Sequence, residues 1–190
     1  MFIVFIGPPG SGKGTQSKRL ARDLDIPHLS TGEMLRQAVR DETELGKQVQ
    51  QYMESGGLVP HALVINIVGE RLDQSDCQKG CLLDGFPRAL EQAESLDEYF
   101  QRKKKSLNVV LELKVDDSEL MRRMQQRAGE EQRSDDTPET LARRLEVYSN
   151  ETAPLVSFYQ HKGLLETIDG TGSPDEVYQR IQSSIDCRRV

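Results

Sequence analysis

The sequence predicts an α/β protein of three layers, a parallel five-stranded sheet with helices on both faces. The run Phe2-Ile3-Val4-Phe5-Ile6 is apolar at every position, as befits a strand buried on both sides of a parallel sheet. Comparable short runs lie at 81–83, 107–113 and 164–168, with 26–29 as the fifth, and they alternate with longer stretches of helical periodicity. The first run leads straight into the glycine-rich nonapeptide Gly7-Pro8-Pro9-Gly10-Ser11-Gly12-Lys13-Gly14-Thr15, a turn placed to open a helix at Gln16-Ser17-Lys18-Arg19-Leu20-Ala21.

Glycines in such a turn let successive backbone N–H groups face inward on one phosphate cluster. The following helix presents the positive end of its dipole, and Lys13 adds a mobile ammonium. Three anion-binding devices converge on one spot, so a nucleoside triphosphate is the expected ligand. The Gly-x4-Gly-Lys spacing fits the phosphate-loop pattern, and a P-loop three-layer fold is expected, although Gly14 follows the lysine and the hydroxyl comes one place later at Thr15. A flexible glycine turn is the plainer alternative. The strand before, the helix after and the lysine in register all favour the phosphate site.

Helical stripes follow in order. Leu63, Val64, Ile67, Val68 and Leu72 come after Pro60; Ala89, Ala93, Leu96 and Phe100 after Pro87; Val177, Ile181 and Ile185 after Pro174. Ser30 with Glu33, Asp116 with Glu119 and Ser173 with Glu176 each set an oxygen cap three residues before a carboxylate. Two segments do not read as core. Residues 30–60 are polar, with few bulky apolar residues and the turn Ser55-Gly56-Gly57, and predict a small helical insertion. Residues 126–136 are polar apart from Ala128 and predict an exposed loop. Both are candidate moving parts.

At 190 residues with 36% apolar and 29% charged content, one main soluble domain is expected. Lys and Arg total 25 against 31 Asp and Glu, a net charge of −6, which argues against a nucleic-acid partner and requires any phosphate ligand to sit in a local cationic pocket. Cys77, Cys81 and Cys187 are too sparse for a disulfide framework and lack zinc spacing, so a reducing, cytoplasmic setting is expected. The opening apolar run is too short for a signal-peptide core, and no run reaches membrane length.

Beyond the glycine loop, Leu82-Leu83-Asp84-Gly85-Phe86-Pro87-Arg88 ends a buried strand with a carboxylate and a tight turn, and ligands of open parallel sheets gather at such ends. Asp84 is a candidate for Mg²⁺ or its water shell, and Arg88 for a phosphate. Taken alone, the heptapeptide reads better as a capping aspartate with a surface arginine; beside the phosphate loop the ligand-binding reading is preferred. Arg36, Arg88, Arg123, Arg127, Arg133 and Arg144 cluster in or beside the insertion, the strand end and the polar loop, and Arg123 and Arg127 share one helix face. A solvated basic face is the alternative there, and it suits Arg102-Lys103-Lys104-Lys105, cations at a helix end.

Five ordered stretches resemble the adenylate kinase family: Gly-Pro-Pro-Gly-Ser-Gly-Lys-Gly-Thr-Gln at 7–16, Leu-Ser-Thr-Gly-Glu-Met-Leu-Arg at 29–36, Gly-Leu-Val-Pro at 57–60, Asp-Gly-Phe-Pro-Arg at 84–88 with Gln92, and Arg-Ser-Asp-Asp at 133–136. The resemblance runs nearly end to end, and the Gly-Lys-Gly-Thr variant is usual in it. It implies a core at 1–29, 60–125 and 137–190, a monophosphate-binding insertion at 30–59 and a short lid at 126–136. It implies a monomer that transfers a phosphoryl group from ATP to AMP with Mg²⁺ near Thr15 and Asp84, reached through water. Zinc, held by cysteines in longer lids, is not expected because the lid segment has neither Cys nor His.

By the same resemblance, Gly10, Ser11, Gly12, Lys13, Gly14 and Thr15 cradle the triphosphate, and Lys13 follows charge during transfer. Thr31, the backbone of Gly57, Leu58 and Val59, and Gln92 read the acceptor base within a site that includes Gly85, Phe86 and Pro87. Arg36 and Arg88 hold the acceptor phosphate. Arg123 stacks on the donor adenine, Arg127 grips the donor phosphates, backbone near Gly172 meets the adenine edge, and Arg133 and Arg144 bridge the two nucleotides. Ala128 and Gln132 depart from the glycines frequent in related lids. Three rivals stand beside this reading: a UMP/CMP-directed relative, disfavoured by Thr31 and Gln92; a nucleotide-dependent switch, disfavoured by the second site; and a nucleic-acid module built on 102–105, disfavoured by 5% aromatic content and negative charge.

Overall fold

A computed structural model of the chain describes residues 1–130 and 137–188. Its centre is β1 (Phe2–Ile6), buried along its whole length and hydrogen-bonded in parallel to β3 (Cys81–Asp84) on one side and β4 (Val109–Lys114) on the other. β2 (His28–Ser30) pairs with the far edge of β3, and β5 (Leu165–Asp169) with the far edge of β4. The order β2-β3-β1-β4-β5, parallel throughout, is the predicted five-stranded sheet.

Because every strand runs the same way, all carboxyl ends open on one edge. The order reverses about β1, leaving a crevice above its end. Alternate residues of β1 feed two cores. Phe2, Val4 and Ile6 pack with Val64 and Val68 of α4 (His61–Leu72), Ala93, Leu96 and Phe100 of α5 (Leu90–Arg102), and Leu155 and Tyr159 of α8 (Pro154–His161). On the other face Ile3 and Phe5 pack with Leu20 and Ala21 of α1 (Lys13–Asp23) and Val177, Ile181 and Ile185 of α9 (Pro174–Arg188). The stripes predicted after Pro60, Pro87 and Pro174 are therefore the buried faces of three helices.

The segment predicted to lie outside the core forms α2 (Thr31–Arg40) and α3 (Glu44–Glu54), and it carries more packing than its polarity announced. Leu35 on α2, Val49 on α3 and Val59 beyond it are buried and join the first core, so one buried apolar residue anchors each helix. The two helices meet at Gly46, where an added Cβ would lie 2.0 Å from the Ala38 carbonyl oxygen. A second correction falls on 126–136. α6 (Asp117–Glu130) continues through the first part of that stretch as helix, because Gln, Arg, Ala and Glu are good helix formers and polarity alone does not end one. The remainder of it, 131–136, lies outside the described residues.

The caps differ among themselves. At Ser173 and Glu176 both halves form: the Glu176 N–H donates to Ser173 Oγ at 3.3 Å, and Ser173 N–H donates to the Glu176 carboxylate at 2.8 Å. At Ser30 the hydroxyl accepts from Glu33 N–H at 3.4 Å, but the Glu33 carboxylate turns to Lys18. Glu119 turns away from Asp116 to two arginines. Among the described residues no helix is long and apolar enough to cross a membrane.

Candidate functional site

The floor of the crevice is the loop from β1 to α1. Gly7 passes so close to β4 that a Cβ would sit 2.8 Å from Leu113 O, and Gly12, at φ +92, is the residue from which α1 starts. Its carbonyl accepts from Thr15 and Gln16 N–H, both at 3.1 Å. The first N–H groups of α1, those of Lys13 and Gly14, have no carbonyl within the helix to receive them and carry its positive end. The Lys13 ammonium curls under the loop and donates to Gly7 O at 2.6 Å, Pro8 O at 2.8 Å and Ser11 Oγ at 3.4 Å.

Beside this floor β3 ends in Asp84, buried at 8% exposure. Its Oδ2 accepts from Ser17 Oγ at 3.2 Å and lies 3.4 Å from His28 Nε2. Burial opposes the charge, but the hydrogen bond from His28, with Lys13 and Arg88 nearby, outweighs it and holds the carboxyl below the ordinary aspartate range. His28, at the start of β2, and Ser17, on α1, orient this carboxylate, and the sequence pattern singles out neither for that task. The only signal available was that β2 and α1 both abut the end of β3.

The turn that follows is fixed from several directions. Gly85 sits at φ +80, and its carbonyl accepts from Thr31 Oγ1 at 2.8 Å and Arg88 Nε at 2.9 Å. The Arg88 N–H donates to Gln92 Oε1 at 2.8 Å, and the Arg88 carbonyl accepts from Thr152 Oγ1 at 2.8 Å. A Cβ at Gly85 would come within 2.8 Å of Thr31 Oγ1 as well as forcing a left-handed backbone. Gly85→Ala is expected to lower stability by about 1–3 kcal/mol, read as a drop in the urea midpoint; an unchanged midpoint would contradict this geometry.

These elements enclose two adjoining cavities. The larger, of about 680 Å³, is lined by the glycine loop with Lys13 and Thr15, by Asp84, and by Arg123, Gly170 and Gly172 at the far end. The smaller, of about 70 Å³, is lined by Thr31, Leu35, Met53, Gly57, Leu58, Val59, Val64 and Gln92. Arg36, Arg88 and Arg144 line both. Arg144 arrives on α7 (Pro138–Val147), which rests on the end of α3: Thr140 Oγ1 donates to Glu54 O at 3.3 Å, and Gly56 leaves no room for a Cβ beside Thr140 O.

Arg123 closes the larger cavity at the side. Its Nη1 donates to Ser11 O at 3.4 Å and its Nη2 to Gly170 O at 3.0 Å, so one guanidinium spans the glycine loop and the loop after β5. Its Nε donates to Glu119 at 2.7 Å; that carboxylate also takes two bonds from Arg122, and together they hold its pKa down at about 2.

Of the sequence candidates, the structure thus gathers Gly10, Ser11, Gly12, Lys13, Gly14, Thr15, Arg36, Asp84, Gly85, Pro87, Arg88, Arg123, Arg144 and Gly172 around the larger cavity and Thr31, Gly57, Leu58, Val59 and Gln92 around the smaller. Phe86 is the exception: its ring is buried in the first core and lines neither cavity. Arg127 belongs to α6 by backbone, one turn past Arg123; its side chain and all of Arg133 lie outside the described residues. Arg122 and Lys18 line the larger cavity without having been singled out.

Comparison with known proteins agrees with this geometry. The family described as adenylate kinase matches residues 5–164. The adenylate kinases of Cyanothece sp. and Thermobifida fusca are each 50% identical to the chain; the first alignment covers 97% of this chain and 94% of the relative, the second 99% and 100%. That of Caldanaerobacter subterraneus is 42% identical over 97% of this chain and 96% of the relative.

Proposed function

The chain belongs to the adenylate kinase family, and on that premise we propose how its two cavities divide the reaction ATP + AMP ⇌ 2 ADP. The larger cavity takes ATP, with its phosphates over the glycine loop and Lys13 and its base between Arg123 and the loop at Gly172. The smaller takes the AMP base. The observation that supports this division is that Arg36, Arg88 and Arg144 line both cavities, the place where two phosphate groups would meet.

Bringing a donor of charge about −4 to an acceptor of about −2 is the central difficulty. Two like charges 4 Å apart repel by about 4 kcal/mol at an effective dielectric of 20, and several such pairs act at once. Lys13 and the arginines supply fixed positive charge where negative charge concentrates, which favours an in-line transfer. No general base is required, since the acceptor phosphate, with a second pKa of about 6, is already an oxyanion at neutral pH. Gln92 has its oxygen engaged by Arg88 N–H, so its –NH₂ is what remains to donate to a base. Residues 30–59 form the acceptor-binding part and 126–136 the lid, whose Arg127 and Arg133 are drawn onto phosphate and exclude water as a rival acceptor.

The residues present fit a magnesium ion: the ionised Asp84 and the Thr15 hydroxyl are hard oxygen donors beside the cradle, and Mg²⁺ prefers one or two carboxylates with waters and phosphate oxygens. When bound, the ion neutralises part of the phosphate charge. A single chain lines both cavities, which supports a monomer, and three free cysteines fit a reducing cytoplasm.

The division of labour is tested by Gln92→Leu, expected to raise KM for AMP about tenfold or more while KM for ATP stays put. A parallel rise in both would remove the small pocket from the acceptor. In a coupled ADP-release assay wild type should prefer AMP over CMP, UMP and GMP by about a hundredfold in kcat/KM; a pyrimidine preference would revive the nearest rival.

A further inference from the structure

Two side chains tie the loop at 170–174 to the phosphate loop and the first turn of α1. Arg123 reaches Gly170 O from α6, as described above. From the opposite side Gln16, in the first turn of α1 and only 4% exposed, donates its Nε2 to Pro174 O at 2.9 Å. The other end of that amide, Oε1, is buried and has no hydrogen-bond partner among the described residues. A buried polar atom left unpaired is a standing cost. A leucine of similar volume would fill the space without it; what the amide adds is the one N–H on Pro174.

Gln16 follows Thr15 directly, so the residue that holds the loop belongs to the same turn that carries the phosphate cradle. On the other side Arg123 is itself aimed: Glu119 takes its Nε, which leaves Nη1 and Nη2 to straddle Ser11 O and Gly170 O. The two bridges end at 170 and 174, bracketing Gly172, where an added Cβ would lie 2.7 Å from the Glu176 carboxylate.

We propose that Gln16 and Glu119 are positioning residues for the donor nucleotide: Gln16 directly, and Glu119 through Arg123, set the distance between the 170–174 loop and the phosphate cradle. The proposal rests on the reading of that loop as the wall for the donor base. A nucleotide has a fixed reach from base to phosphates, so base wall and phosphate floor must be in register before it arrives. A displacement of about 1 Å is enough to lose much of the benefit of orientation.

The test uses the full-length enzyme. Gln16→Glu keeps the shape and removes the N–H; Glu119→Gln keeps the shape and removes the charge. Each is expected to raise KM for ATP about tenfold, to leave KM for AMP unchanged, and to speed amide hydrogen exchange in a peptide spanning 170–173. Unchanged exchange in both variants would overturn the brace itself. Faster exchange with an unchanged KM for ATP would instead overturn the reading of the loop as donor wall, and the proposal with it. A parallel rise in both KM values would mean general loosening and also refute it. Should Gln16→Glu fail to fold, Glu119→Gln, at a partly exposed position on α6, decides the question alone.

Discussion

Lys13→Met is expected to keep the fold and lower kcat by about a thousandfold or more. Removing one neutral donor from a site that stabilises a developing oxyanion costs about 10²–10³ in rate, and Lys13 contributes a full charge at the centre of the cradle. Its Nζ lies against Gly7 O, Pro8 O and Ser11 Oγ, a three-point seat that a compact ammonium with rotatable donors fills well. A planar guanidinium matches that seat poorly, so Lys13→Arg should not rescue. Coupled ADP release gives kcat, and circular dichroism melting confirms folding. A variant within tenfold of wild type would refute the role.

Arg88→Met ranks second, with kcat expected to fall by about 10²–10³ and KM for AMP to rise. The side chain belongs to both cavities, and its position is specified by three bonds: Nε to Gly85 O, the backbone N–H to Gln92, and the carbonyl from Thr152. The change therefore removes a charge whose location was already fixed, and the backbone bonds that fix it remain. Arg88→Lys should recover little, because the loss is of a fork as much as of a charge. The same assay, with AMP varied at saturating ATP, reads both parameters; a change confined to KM for ATP would place Arg88 on the wrong nucleotide.

The sheet was legible because its signal is local. Five consecutive apolar residues fixed both ends of β1, and the stripes after Pro60, Pro87 and Pro174 named the buried faces of their helices. β2 was harder: three residues beginning at His28 carry almost no pattern, and 26–29 caught only its first two residues. The polarity of 30–60 hid Leu35, Val49 and Val59 because one buried residue per element suffices when a neighbouring helix supplies the rest. Polarity likewise hid the helical course of 126–130. At the site the sequence named residues that the fold gathers around two cavities, but not their bonds. Arg123 to Gly170 spans 47 positions and Ser17 to Asp84 spans 67, distances at which periodicity is silent. Glu119 shows the limit of motif spacing, since it sits where a capping box would place it and yet serves two arginines.

The meeting of α2 with α3 at Gly46 bears on how this protein is able to change over generations. The obstacle beside that glycine is the Ala38 carbonyl oxygen, and a main-chain atom cannot be trimmed by altering any codon. Since α2 carries Thr31 and Arg36 while α3 leads into Gly57, Leu58 and Val59, the gauge of the smaller cavity is set by an atom every variant inherits. Drift at position 46 thus has no compensating mutation in the facing helix, and a change in the shape of that cavity has to arise from the side chains lining it.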